Sequence, residues 1–274
     1  MSESPSTRMP TLFIPHGGGP CFFMDWSLMG GPADTWHKTE AWLKSIPESL
    51  PEKPKALLVI SAHWEEQEFT ISTARRPEMI FDYYGFPPHT YELDYPAPGA
   101  SDLADKVSQL ISEQGLPAPR TADRGYDHGV FVPLLVAFPD ADIPILTLSL
   151  TNDLSPEKHL KLGEALSSLR DEGVLIIGSG MSYHNMRAFR TPAATAPSAE
   201  FDAWLTASIE SGTTEHRWSQ LSNWLSAPQA RNSHPREEHL LPLMVAAGAA
   251  RHDDGKKVFS DNVMNATVSA FQFG

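Results

Sequence analysis

The segment Phe13-Ile14-Pro15-His16-Gly17-Gly18-Gly19-Pro20 sets one imidazole between a short apolar run and three glycines. Glycines directly after a strand let the backbone turn sharply and leave room for a ligand. The C-terminal edge of strands is where open α/β sheets bind ligands. Two chemistries use a histidine so placed. An HGGG run supplies oxyanion-hole amides when a G-x-S-x-G nucleophile elbow follows, but no G-x-S-x-G occurs in the chain. The other is metal ligation, which needs further histidines at neighbouring element ends.

Such histidines are present. Ala62-His63-Trp64 follows the apolar run ALLVIS, so His63 also falls at the C-terminal end of a strand, and His184 in SGMSYHN follows the run Val174–Gly178. His128, in Gly125-Tyr126-Asp127-His128-Gly129, comes just before a helix. Asp127 is placed to orient it through a hydrogen bond. Ser233-His234-Pro235-Arg236-Glu237-Glu238-His239 leads into the helix LLPLMVAAGAA, with Pro235 suited to a first turn and His239 roughly one turn further in. A single histidine is most often a hydrogen-bonded structural residue, whereas several at the ends of different strands of one sheet converge on one edge. Imidazoles that converge without thiolates suit Fe(II), Zn or Mn, and an open coordination position makes such a site catalytic. On these residues alone, a metal site and a set of separate structural histidines both stay open. His37, His89, His159, His216 and His252 lie in polar contexts and are expected at the solvated surface. Cys21 reads as a small packed side chain rather than a nucleophile.

The elements that must position these residues alternate between β-rich apolar runs and helical segments, the pattern of a βα-alternating sheet. Strands are expected at Thr11–Ile14, Ala56–Ser61, Phe69–Thr73, Ile143–Leu150, Val174–Gly178 and Lys257–Ser260. Helices are expected at Ala33–Ser45, Ala100–Glu113, Gly129–Ala137, Pro156–Asp171, Ala199–Ser211 and Glu237–Ala249. Neither a repeat nor a linker divides the chain, so residues 1–274 read as one α/β domain, with residues 1–9 expected to be flexible. The segment Phe81–Pro98, dense in Tyr, Phe and Pro, reads either as an aromatic lid over a site or as a packed surface loop.

Composition excludes several function classes. With 21 Lys and Arg against 34 Asp and Glu the formal charge is −13, which repels phosphate backbones and anionic lipid. Neither a nucleic acid nor a membrane surface is an expected partner. One cysteine excludes an intrachain disulfide and fits a reducing compartment. The start MSESPSTRMP has no apolar core of a signal peptide, and no run approaches the ~20 apolar residues of a membrane span, so a cytoplasmic location is expected. Nothing in the sequence speaks to oligomeric state.

Taken together and in order, PHGGGP, SAHW, YPAPG, GYDHG, GSGMSYHN and EHLLPL resemble the class III extradiol ring-cleavage dioxygenases. The nearest resemblance is to their DOPA 4,5-dioxygenase-like branch, with protocatechuate 4,5-dioxygenase catalytic subunits more distant. The resemblance implies a single α/β domain with a mostly parallel central sheet flanked by helices and a non-haem metal at the strand C-terminal ends. Carried over residue by residue, it makes His16 and His63 the first two metal ligands and His239 the third. It sets His184 beside the metal and His128 against substrate or dioxygen, the two candidate catalytic residues. The more distant relatives use a glutamate as third ligand. Here histidine stands at that position, with Glu238 beside it as a solvated or supporting carboxylate. A neutral third ligand leaves the site more positive and bears on the metal: Fe(II) as the working ion, with Zn(II) favoured by affinity in purified protein.

The activity so implied is insertion of both atoms of O2 into a small aromatic diol, DOPA or a related catechol, to give a muconic-semialdehyde-type product. Histidine titrates near neutrality and can remove the second hydroxyl proton or later return one. A zinc hydrolase with the same ligands is the first rival, since such a site also activates water. A non-catalytic metal- or catechol-binding protein is the second; two titratable groups beyond the ligands speak against it. An acidic substrate would need a cation, and Arg124, Arg187 and Arg190 flank the site motifs.

Overall fold

The computed structural model describes residues 8–274. The flexible start expected for residues 1–9 therefore falls largely outside the described residues; Met9 itself is buried, its amide donating to the Arg170 carbonyl at 3.1 Å. The first half of the chain forms β1 (Thr11–Pro15), α1 (His37–Ser49), β2 (Ala56–Glu66), β3 (Ile71–Ser72), α2 (Ala104–Glu113), β4 (Arg120–Thr121) and α3 (His128–Ala137). The second half forms β5 (Ile145–Thr151), α4 (Pro156–Leu166), β6 (Val174–Gly180), α5 (Thr195–Glu210), α6 (Thr214–Ser222), α7 (Ala230–Ser233), α8 (Leu241–Ala249), β7 (Gly255–Val263) and β8 (Ala266–Phe273).

Among the described residues the strands make one eight-stranded sheet in the order β4-β3-β5-β2-β6-β1-β8-β7. The central four, β5-β2-β6-β1, run parallel. Antiparallel pairings of β3 with β5 and of β8 with β1 carry the sheet outward to its edges. Strands covered on both faces must be apolar on both, which is why ALLVI and VLII read as continuous hydrophobic runs. Alternation then sorts their side chains. Leu12, Ile14, Leu57, Val59, Leu175 and Ile177 pack under α1 and α3, while Phe13, Leu58, Ile60 and Ile176 pack against α2, α4, α5 and α8. This is the mostly parallel, helix-flanked α/β architecture that the sequence predicts.

Because β1, β2 and β6 are parallel neighbours, their C-terminal ends open at one edge of the sheet. His16 follows β1 directly and His63 lies near the end of β2. Beyond Ile60, the strand β2 takes five steps (Ile60 to Glu65) while β5 takes two (Leu148 to Leu150). This bulge takes Ser61–Trp64 out of register with β5, Ser61 still pairing with Ser179 of β6, and turns His63 toward the edge. In β6 the glycines of GSG are strand residues rather than a turn. A Cβ on Gly178 would stand 2.2 Å from the Pro242 carbonyl oxygen, and one on Gly180 would stand 2.2 Å from that of His239. Their bareness lets the entry to α8 lie against the sheet, where the Met181 amide donates to the His239 carbonyl at 3.0 Å.

Several boundaries differ from those predicted, for physical reasons. The sequence reading has no β8, which pairs with β7 through a two-residue turn, Met264-Asn265, both residues at positive φ; such turns are usually announced by glycine, absent here. α6 was likewise not predicted. α8 starts at Leu241 rather than Glu237, because Pro242 occupies its first turn and Glu237–Leu240 forms a separate turn. The 3₁₀ segment Ser167–Glu172 takes over the end expected of α4.

Candidate active site

His16, His63 and His239 each offer one nitrogen, and these atoms lie within 4.8 Å of one another. His16 is fixed from behind. Its Nδ1 lies 3.1 Å from Ser179 Oγ, whose hydroxyl hydrogen is already donated to the Gly129 carbonyl. Ser179 therefore accepts from His16 Nδ1–H, and His16 Nε2 carries the lone pair. That Nε2 stands 3.2 Å from His63 Nε2. Two nitrogens bound at ~2.0–2.1 Å to one ion stand roughly 2.8–3.0 Å apart at octahedral angles and roughly 3.3–3.4 Å apart at tetrahedral ones, so the spacing fits a shared metal. His239 Nδ1 donates to Glu238 Oε1 at 2.9 Å, which again leaves Nε2 as the lone-pair nitrogen. A hydrogen bond from the second ring nitrogen is the usual way a ligating imidazole is oriented. Burial, followed by the mutual repulsion of the clustered imidazoles, holds His16 and His63 well below the ordinary histidine value. The same two causes push His239 down to about 3. These rings are neutral donors at neutral pH, the form that metal binding requires.

The two further histidines join the same cluster. His128 opens α3; its ring centroid is 4.0 Å from that of His63. The ring of His184 stacks on that of His239 at 3.3 Å, with 15° between the planes. Each is held by a carboxylate. Both the backbone N–H and Nδ1 of His128 donate to Asp82 Oδ1, at 2.9 and 2.8 Å, and the other oxygen of Asp82 is 3.6 Å from His63 Nδ1. His184 Nδ1 lies 3.4 Å from Glu238 Oε1, so one carboxylate serves both stacked rings. Burial raises Glu238, but hydrogen bonds from His184 and His239 outweigh it and hold the carboxyl well below the usual range. Asp82 is likewise lowered, its burial overcome by the hydrogen bonds from His128.

Two expectations need correction. Asp127 does not orient His128. Its carboxylate takes a 2.6 Å hydrogen bond from Ser61 and a 2.5 Å contact from Arg124, while Asp82 does the orienting. His159 is not at the surface: it is fully buried, with Nδ1 donating to the Ser155 carbonyl at 2.7 Å and Nε2 accepting from the Thr151 amide at 3.3 Å. Burial pushes it down to about 4. His37, His89, His216 and His252 are exposed, as expected. Cys21 is buried, its thiol raised by burial, and a Cβ on Gly17 would sit 2.3 Å from its Sγ. Gly17 has φ +86°, so its lack of a side chain serves both the backbone turn and this packing.

The cluster floors a cavity of about 500 Å³ walled by Trp26, Trp36, Phe189, Met181 and the glycines 17–19, within the range of small-molecule sites. Tyr83, Tyr84 and Phe86 of the aromatic segment complete the wall. Of the segment Phe81–Pro98, these three residues wall the cavity as a lid would, while Phe81, Tyr91 and Leu93 pack on the core as a surface loop would. Asp82 in this segment escaped the sequence reading. An imidazole that moves protons needs an acceptor behind it, but no spacing rule points to an aspartate 46 residues upstream.

The chain is similar to known proteins along nearly its whole length. Residues 10–274 match the family model described as the catalytic LigB subunit of aromatic ring-opening dioxygenase. The chain is 36% identical over 297 residues to the dioxygenase tasH of Hapsidospora irregularis, covering 98% of this chain and 87% of that protein. It is 39% identical over 246 residues to the 4,5-DOPA dioxygenase extradiol of Beta vulgaris, covering 88% and 86%. The crystal structure of an uncharacterized protein from Escherichia coli K12 superposes with a TM-score of 0.73 at 28% identity, covering 97% of this chain and all of that one.

Proposed function

Since the chain belongs to the LigB family of aromatic ring-opening dioxygenases and is an extradiol ring-cleavage enzyme, we propose that it opens a small catechol, DOPA or a related phenolic acid, at a metal held by His16, His63 and His239. The observation that carries the ligand set is the convergence of three neutral imidazoles, with His16 and His63 facing each other Nε2 to Nε2 at 3.2 Å. Fe(II) is the working ion in this reading, and Zn(II) the ion a nitrogen-rich site retains through purification. A metal bound there supplies what the side chains cannot: it holds the diol and dioxygen together and overcomes the reluctance of ground-state dioxygen to attack a closed-shell ring.

The chain's own residues do the rest. Trp26, Trp36 and Phe189 form an apolar slot for a flat ring, and Tyr83 and Phe86 close it from the lid side. With Nδ1 committed to Asp82, His128 presents Nε2 to the cavity as a proton acceptor for a substrate hydroxyl. His184, backed by Glu238 and stacked on His239, is placed to return a proton as the ring opens. The overall change balances without a further reductant: one catechol and one O2 give one ring-opened product that retains both oxygen atoms. Mass spectrometry of the product formed under ¹⁸O2 by the Fe(II)-loaded enzyme tests this. A yellow product carrying both labelled atoms, with one O2 consumed per catechol, is expected. Absence of O2 uptake across a catechol series, or hydrolysis of an ester instead, would assign the site to the hydrolase class.

A further inference from the structure

Among the described residues that line the cavity, Arg190 alone carries a permanent charge. The other arginines near the site are committed elsewhere: Arg124 to Asp127 at 2.5 Å and to the His63 carbonyl, Arg236 to Glu65 and Glu238. Arg187 does not line the cavity. No carboxylate partners Arg190 among the described residues; its guanidinium lies 5.5 Å over the ring of Trp26, a buried wall residue, which places the charge by a cation–π contact. The backbone beneath it is strained. Arg190 has φ +69°, held by donation of its amide to the carbonyl of Met264 at 3.0 Å, and Met264 has φ +50° and also lines the cavity. Left-handed non-glycine residues cost energy and cluster where function requires a set geometry. In a chain of net charge −13, an unneutralised guanidinium at the lip of an apolar slot is a local reversal of sign, and it attracts anions.

We infer that Arg190 binds a carboxylate on the tail of the ring substrate and that the cavity selects catechols whose side chain is negative rather than positive. The inference rests on the reading that the cavity takes a catechol: with the diol at the imidazole floor, the tail points away from it toward the lip. A guanidinium binds a carboxylate in a two-pronged geometry. Among the described residues no Asp or Glu lines the cavity, so an ammonium group on the tail finds no counter-charge there and is repelled by Arg190. A catechol acid lacking an amine is thereby a better fit than a catechol amino acid, and a catechol amine the worst.

Calorimetric titration of the full, Zn(II)-loaded chain with ring probes that lack the diol separates this from turnover. The probes are 3-phenylpropanoate, 3-phenylpropan-1-ol and 3-phenylpropylamine. Arg190 is exposed, so its contribution falls between a screened surface pair and a buried charged hydrogen bond: propanoate should bind about tenfold more tightly than the alcohol, and the amine most weakly. Arg190→Gln should bring propanoate to the level of the alcohol, Arg190→Lys should restore part of the preference, and ~1 M salt should erase most of it. An unchanged propanoate-to-alcohol ratio in Arg190→Gln, as when the carboxylate seats on the metal instead, overturns the assignment. So does a wild type that shows no preference. If the preference holds while no catechol is opened by the Fe(II) enzyme, the function reading fails and the role of Arg190 stands.

Discussion

Each of the five clustered imidazoles owes its task to what stands behind its other nitrogen. Ser179 backs His16, Glu238 backs His239 and His184, and Asp82 backs His128 and approaches His63. Asp82 is the member that the sequence did not disclose, and it separates two accounts of His128. If Asp82 orients His128, Asp82→Ala should keep the metal but lower kcat by about 10–100-fold, the usual cost of removing a carboxylate behind a site histidine. Asp127→Asn, which disturbs a buried contact with Arg124 instead, should act mainly on stability. Steady-state kcat and metal content, measured on both variants where they are folded, decide the matter. A larger kcat loss for Asp127→Asn would return the orienting role to the residue next door.

At the scale of elements, what was legible was whatever local chemistry announces. The double-faced apolar runs of β1, β2, β5 and β6 could belong only to covered parallel strands, and a histidine at the end of a run shows as such in the sequence. Three of the histidines brought together, His16, His63 and His184, lie at or just past such ends, and His128 opens α3. What stayed hidden depends on packing across the fold. His159 sits in a polar stretch, yet α4 turns it inward against Phe69, with ring centroids 5.1 Å apart. The bulge in β2 that re-aims His63 leaves no compositional mark. The glycines of GSG resemble a turn signal, and only the approach of α8 shows that they are strand residues bared for close contact. Similarly, Glu238 and His239 do not diverge as neighbours on a helix would; in the turn before α8 the carboxylate reaches its neighbour's ring and supports it.

For the whole molecule, the buried histidines tie stability to pH, and the sign is fixed by their direction. His159 is pushed down to about 4 in the fold and titrates near 6.5 when unfolded, so between these values the unfolded chain binds the extra proton. Its contribution is fully present above pH ~6.5 and is lost as pH falls toward ~4, up to about 3 kcal/mol over that window. Urea unfolding at pH 7 and pH 5 should show wild type losing more stability than His159→Gln, which lacks the proton site; parallel losses would mean that His159 does not titrate as its burial dictates. Among the described residues no helix is long and apolar enough to cross a membrane. The most direct test of the central claim is equilibrium titration with Zn(II) and with Fe(II) under anaerobic conditions. Stoichiometric binding is expected in wild type, loss of it in His16→Ala, His63→Ala and His239→Ala, and retention in Glu238→Gln at an affinity weaker by no more than about 100-fold. Weaker binding by Glu238→Gln than by His239→Ala would contradict the account, making the carboxylate the ligand and the imidazole its support.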